Sequence, residues 1–287
     1  MGTSSSYPGP PGTTPLLPPW ADEPVPMPED LRPDGNDNDN APDTDESPDG
    51  NTQDGLDSLE PLVSWRGPKT LMTRWARGDD SVSLGSVARS YVRASGGSRG
   101  ATASSVSGRA TTAKIGGFLA DGLRNGFAQA AQNLGLVNLV GRDAQFVLAS
   151  FIDLLVPAGA LLEAAAARKA GIETLSELFR RFDVETNGLA ALDALDSTGM
   201  LEVVQLSVTN FVNERFQQEL VSRIERGAIS EQRANTLSSE VKGFIAVIVK
   251  LDLRGVDPVG FDWRGAPGAS FVARIYRAAY SLLGDAA

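Results

Sequence analysis

Met200-Leu-Glu-Val-Val204-Gln-Leu-Ser-Val208-Thr-Asn-Phe211-Val212-Asn-Glu-Arg-Phe216-Gln-Gln-Glu-Leu220-Val-Ser-Arg-Ile224 is the stretch whose reading decides the fold. Val204, Val208, Phe211, Val212, Phe216 and Leu220 recur at helical spacing, with no alternation of the kind a half-buried strand requires. A helix of this length with so broad an apolar stripe needs other helices around it. Upstream, Asp143 is placed to cap a helix over Ala144 to Leu155. An alanine-rich helix is expected after Pro157, from Ala158 through Arg168, and another from Ile172 to Phe182 with Leu175, Leu178 and Phe179 on one side. Downstream, Ser230 could cap a helix leading into Phe244-Ile-Ala-Val-Ile-Val249, a β-branched run that also fits a buried strand. Ser270 is the expected cap of a final helix with Phe271, Ile275, Ala278 and Leu282 on one face, Arg274 and Arg277 opposite, and Gly284 at its end. Residues 110–287 thus read as an all-α domain, long enough for one core.

The segment 61–109 reads as basic and Gly/Ser-rich with short helices. Leu62, Val63, Trp65, Leu71, Met72 and Trp75 are interleaved with Arg66, Lys69, Arg74 and Arg77. Asp80 is the expected cap of a helix to Ala94, with Leu84, Val87, Ala88 and Tyr91 on one face and Arg89 and Arg93 on the other. The small residues from Gly96 through Arg99 to Arg109 fit either a flexible hinge or a closely approached backbone.

Residues 1–60 have a different character. They hold fourteen acidic residues against Arg32 alone, and twelve of the 17 prolines. The next block, 61–124, carries ten basic residues against Asp79, Asp80 and Asp121. Low hydrophobicity, high net charge and proline punctuation cannot offset ordering entropy, so 1–60 is expected to be a long disordered acidic tail. Its Asp34 to Glu46 run satisfies no calcium-loop register: counted from Asp37 the sixth residue is Pro42, and counted from Asp45 the twelfth is Leu56.

The chain contains no His and no Cys. Thiolate nucleophiles, Ser-His and Cys-His arrangements, imidazole bases and His- or Cys-based zinc sites are thereby excluded. No Gly-Lys-Ser/Thr P-loop occurs, and Gly122-Leu-Arg-Asn-Gly126 lacks the strand a dinucleotide site needs. Carboxylates remain: Asp153, Glu163, Asp193, Asp196, Glu202 and Glu240, with Asp153 the most interesting because Phe151, Ile152, Leu154 and Leu155 flank it. A solvated or arginine-paired role, for instance with Arg142, is the simpler reading. The Glu173 to Arg181 series has the spacing of a salt-bridged face. Without a secretory signal or an uninterrupted apolar span, a cytoplasmic protein with no membrane partner, no metal and no cofactor is expected.

The first twenty residues, Met1-Gly2-Thr3-Ser4-Ser5-Ser6-Tyr-Pro-Gly-Pro-Pro-Gly-Thr-Thr-Pro15-Leu16-Leu17-Pro18-Pro19-Trp20, together with Leu139-Val-Gly-Arg142-Asp143 and Ile152-Asp-Leu-Leu-Val-Pro157, resemble the QatB proteins of bacterial Qat anti-phage defence systems. The resemblance implies partners: a QueC-like 7-deazaguanine enzyme (QatC-type), an ATPase (QatA-type) and a TatD-like nuclease (QatD-type). In related defence systems a QueC-like enzyme is thought to join a deazaguanine to a protein's N-terminal glycine, which here implies Gly2 as modification acceptor. Thr3, Ser4, Ser5 and Ser6 are small enough for a narrow channel, and Leu16, Leu17 and Trp20 could dock on the enzyme. The opening Met1-Gly2 with Ser6 also fits the myristoylation pattern, which would demand a eukaryotic transferase.

Two functional readings follow. The first is a non-enzymatic defence component that serves as protein substrate and adaptor. The alternative is a nucleic-acid-binding adaptor using Arg66, Lys69, Arg74, Arg77, Arg89, Arg93, Arg99 and Arg109. A hydrolase resting on carboxylates is a distant third.

Overall fold

The structure, a computed structural model, describes residues 64–137, 144–156, 159, 161–220, 231–253 and 255–286. These residues are helical in every regular element, with no strand among them: α1 (Arg66–Ala76), α2 (Leu84–Ala94), α3 (Gly97–Ala103), α4 (Val106–Asn125), α5 (Phe127–Asn133), α6 (Ala144–Leu155), α7 (Leu162–Arg181), the single turn α8 (Val184–Asn187), a 3-10 turn Leu189–Ala194, α9 (Ser197–Leu220), α10 (Glu231–Ile248) and α11 (Ala266–Gly284). The described residues are all-α, as their periodicity implies.

α9 is the centre. It begins at Ser197, where Asp196 accepts the Gly199 amide at 2.7 Å and so satisfies one of the orphan N–H groups of the first turn. From Asn210 to Phe216 every consecutive residue is buried, which means neighbours on all sides and not on one stripe. α7, α4, α10, α11 and α1 all pack against it. Gly108 on α4 permits one of these approaches: a β-carbon there would stand 2.5 Å from the Phe211 ring. Phe118 on α4 stacks in turn against Phe151 on α6 at 4.7 Å between ring centres, and Phe151 meets Phe179 on α7 at 5.9 Å.

Several sequence expectations need correction. The two helices expected at 158–168 and 172–182 are one continuous helix, α7. Gly171 does not break it because it faces Val156, whose methyl would lie 2.7 Å from any added β-carbon; the small residue is there for contact. α2 is capped by Ser83, whose hydroxyl accepts the Ser86 amide at 3.1 Å, and not by Asp80. The preceding turn is fixed by Asp79, which accepts the Ser81 amide and the Arg74 guanidinium. α11 starts four residues ahead of Ser270, after an Asp262 turn and with Pro267 at its second position, where a missing N–H costs nothing. Its buried face is Phe271, Val272, Ile275, Tyr276, Ala279, Tyr280 and Leu283; Ala278 and Leu282 are exposed.

The run 244–249, open between helix and strand, is helical through Ile248. Leu237, Val241, Ile245 and Val249 are buried at four-residue spacing while Val247 faces out. Between Gly96 and Arg109 the closely approached backbone prevails. α3 packs on α2 and α11, and Ala101 is fully buried. The expected caps Asp143 and Ser230, the Leu139–Arg142 and Pro157–Ala158 segments, and the end of the long helix at Val221–Ile224 lie outside the described residues. So does the whole of the acidic 1–60 block.

Candidate functional site

Each carboxylate singled out as a candidate catalyst holds a structural post. Asp153 is largely exposed and pairs with Arg168 at 2.8 Å. Glu163, at the start of α7, accepts the Ser107 and Gly108 amides at the N-terminus of α4, at 3.1 and 2.9 Å. Asp193 accepts the Phe127 amide at 3.0 Å and so caps α5. Glu202 pairs with Arg181 at 2.6 Å, and Glu240 with Arg233 at 3.7 Å. In the Glu173–Arg181 series only Glu177–Arg180 closes within the helix; Glu173 reaches across to Lys242 on α10 at 2.9 Å. Among the described residues no group of three or more Asp or Glu could hold a metal.

The basic residues of 66–109 separate into two sets. Arg66, Lys69 and Arg77 come together on one side of α1, because positions 66, 69, 73 and 77 return to the same side of a 3.6-residue helix, and Arg74 stands at the edge of that side. With Trp65 and Thr73 they line a groove of about 580 Å³. Met72 and Ala76 bury the opposite side of the helix. Arg74 is committed to Asp79 at 2.8 Å; Lys69 lies 5.7 Å from the centre of the Trp65 ring. Arg66, Lys69 and Arg77 make no ion pair with any described residue. The other set is scattered. Arg89 and Arg93 are exposed on α2, Arg99 is exposed on α3, and Arg109 folds back to donate to the Ser105 carbonyl at 3.3 Å. None of these four lines the α1 groove.

A buried polar network was missed by sequence reading. Arg215, 8 % exposed, donates to the Ala101 carbonyl at 3.3 Å, to Ser105 Oγ at 3.0 Å and to Glu219 at 3.1 Å. Ser105 Oγ also meets the Tyr280 hydroxyl at 3.1 Å. Below it Thr112 Oγ1 bridges Ser207 at 2.8 Å and Tyr276 at 3.0 Å. Burial pushes the Glu219 carboxyl up from its ordinary value, and the Arg215 guanidinium pulls it back. Burial likewise raises Tyr91, Tyr276 and Tyr280, which therefore stay neutral. The sequence signal was available: Arg215 and Glu219, at i and i+4, stand inside the apolar stripe that contains Phe211, Phe216 and Leu220.

Gly2, Thr3, Ser4, Ser5, Ser6, Leu16, Leu17 and Trp20 lie outside the described residues. No described helix is long and apolar enough to cross a membrane.

The described residues thus form an all-helical domain whose candidate carboxylates serve caps and ion pairs. Residues 96–283, well over half of the chain, match the family model described as Qat anti-phage system associated protein QatB, and the chain belongs to that family. It is accordingly a component of an anti-phage defence system and works with other proteins of that system. Neither a curated protein nor a solved structure matches it.

Proposed function

We propose that this QatB-family protein is the protein substrate and adaptor of its defence system, with Gly2 as the acceptor of a deazaguanine added by a QueC-like enzyme. Loss of Met1 ahead of a small residue leaves a glycine α-amine, whose unperturbed pKa of about 7.7–8.0 keeps an appreciable fraction neutral near pH 7. A QueC-like enzyme activates the carboxyl of a 7-carboxy-deazaguanine with ATP and ordinarily adds ammonia. A glycine amine is the closest peptide equivalent. Its nitrogen forms an amide bond to the activated carbonyl carbon, the activating group departs with its bonding electrons, and the amine proton passes to a base.

The observation that carries this reading is the employment of the candidate carboxylates: Asp153, Glu163, Asp193, Asp196, Glu202 and Glu240 each hold a backbone amide or a cation. Chemistry at a presented amine asks nothing of them. Leu16, Leu17 and Trp20 would dock the terminus on the enzyme, and an ATPase and a TatD-like nuclease complete the expected set of partners.

Intact mass spectrometry after co-expression with the QueC-like partner tests the proposal. The expected result is a mass increase confined to the N-terminal peptide and abolished by Gly2→Pro. A mass unchanged by the partner, or still increased in the variant, overturns it.

A further inference from the structure

The groove on α1 combines four properties. It carries cations in a row, an aromatic ring at one end, no carboxylate in its lining, and a rigid helical base. Arg66 and Arg77 are separated by eleven residues, so at 1.5 Å per residue the row spans about 16 Å on a single helix side. Trp65 is half-buried: its edge packs on the Tyr91 ring at 5.8 Å between centres, which fixes its plane, while Lys69 lies beside it. Thr70 and Thr73 fold their hydroxyls onto the Arg66 and Lys69 carbonyls, which keeps the groove floor smooth and uncharged. The buried side of α1, through Pro68, Met72 and Ala76, anchors the row to the core.

We infer that the Trp65–Arg77 face of α1 is a binding site for the backbone of single-stranded nucleic acid, with Arg66, Lys69 and Arg77 contacting successive phosphates and Trp65 stacking a base. Charge complementarity selects a polyanion, since Arg66, Lys69 and Arg77 make no ion pair among the described residues. The fixed ring selects a single strand over a duplex, because only an unpaired base offers its face to a side chain. Thr73 and the helix side between the cations offer no pattern of donors and acceptors for base edges, so the site is sequence-tolerant. Arg89, Arg93, Arg99 and Arg109 stay outside it, which narrows a basic segment of more than forty residues to one helix face. The site lies N-terminal to the family-matched span and is independent of Gly2.

The test uses the full chain and a fluorescein-labelled oligothymidylate, followed by anisotropy between about 50 and 200 mM salt. Binding is expected to weaken steeply with salt. Replacing three phosphate contacts, with Arg66→Gln, Lys69→Gln and Arg77→Gln together, should lower affinity at least tenfold and flatten the log–log salt slope by about 2. Trp65→Leu should cost about tenfold in affinity and leave the slope unchanged, a separation that a merely structural Trp65 would not give. Unchanged thermal melting certifies that each variant is folded. Absence of binding at the lowest salt, or an unaltered slope in the triple variant, overturns the inference. Duplex DNA competing equally per phosphate, or polyglutamate competing as well as the strand, also overturns it; the latter would assign the groove to an acidic peptide. A Gly2→Pro variant should bind the strand normally, so failure here and failure of the acceptor proposal are told apart.

Discussion

α9 and α1 both set arginine beside aromatic rings, yet the two helices use the pair in opposite ways. On α9, Arg215 is enclosed near Phe216 and Tyr91 and spends its donors on Ala101, Ser105 and Glu219. On α1, Arg66 stands in the open next to Trp65 and Arg77 in the open at the far end of the same groove, neither with an ion-pair partner among the described residues. Composition alone does not distinguish them. What differs is whether the lattice of helices around each guanidinium supplies acceptors. A satisfied charge is scaffold, and an unsatisfied one is available to a ligand.

The comparison can be pressed hardest at Arg215. Arg215→Met removes three hydrogen bonds and leaves the half-buried Glu219 without its nearest cation, a change expected to cost about 2–4 kcal/mol in denaturant unfolding. Adding Glu219→Leu should recover much of that loss, because replacing both partners removes the uncompensated charge. A double variant no more stable than the single one would mean that Arg215 acts through packing. A smaller effect is expected one helix away: Gly108→Ala drives a methyl into the Phe211 ring and should cost about 1–3 kcal/mol, read as a lowered melting temperature. At the bottom of the scale, Arg77→Gln on α1 should change stability by no more than about 0.5 kcal/mol. A large loss there would show that α1 spends its cations internally after all, and the contrast with α9 would collapse.

Much of this arrangement is legible in the sequence, and the misses have physical causes. α6 was bounded correctly because Ala144 to Leu155 is a solid helical pattern between breakers. α7 was split at Gly171 because a glycine in a helix reads as punctuation until its neighbour Val156 is known. α4 is hard to read from sequence: Gly108, Gly116, Gly117 and Gly122 dilute its apolar period, and only the packing of Phe211, Trp263 and Phe127 against three of them explains their presence. The face of α11 was placed off by part of a turn, since Tyr276 and Tyr280 are buried through hydroxyl partners on Thr112 and Ser105 that lie far away in sequence. The basic residues were all visible, but their division into one groove and four scattered positions depends on how α1 to α4 fold around the core. The carboxylates were visible too; that Glu163 caps α4 across a gap of more than fifty residues was not.

The contacts of α11 bear on the order in which the chain becomes a protein. Thr112 and Ser105 wait for Tyr276 and Tyr280, which are made 164 and 175 residues later. At about 5–20 residues per second of synthesis, that is a delay on the order of 10–30 s. Until the last helix emerges from the ribosome, Thr112 and Ser105 lack their tyrosines, and α2 and α3 lack the part of their cover that α11 supplies. The amino terminus leaves the ribosome long before that closure, so the proposed modification of Gly2 has a window in which the domain behind it is still unfinished.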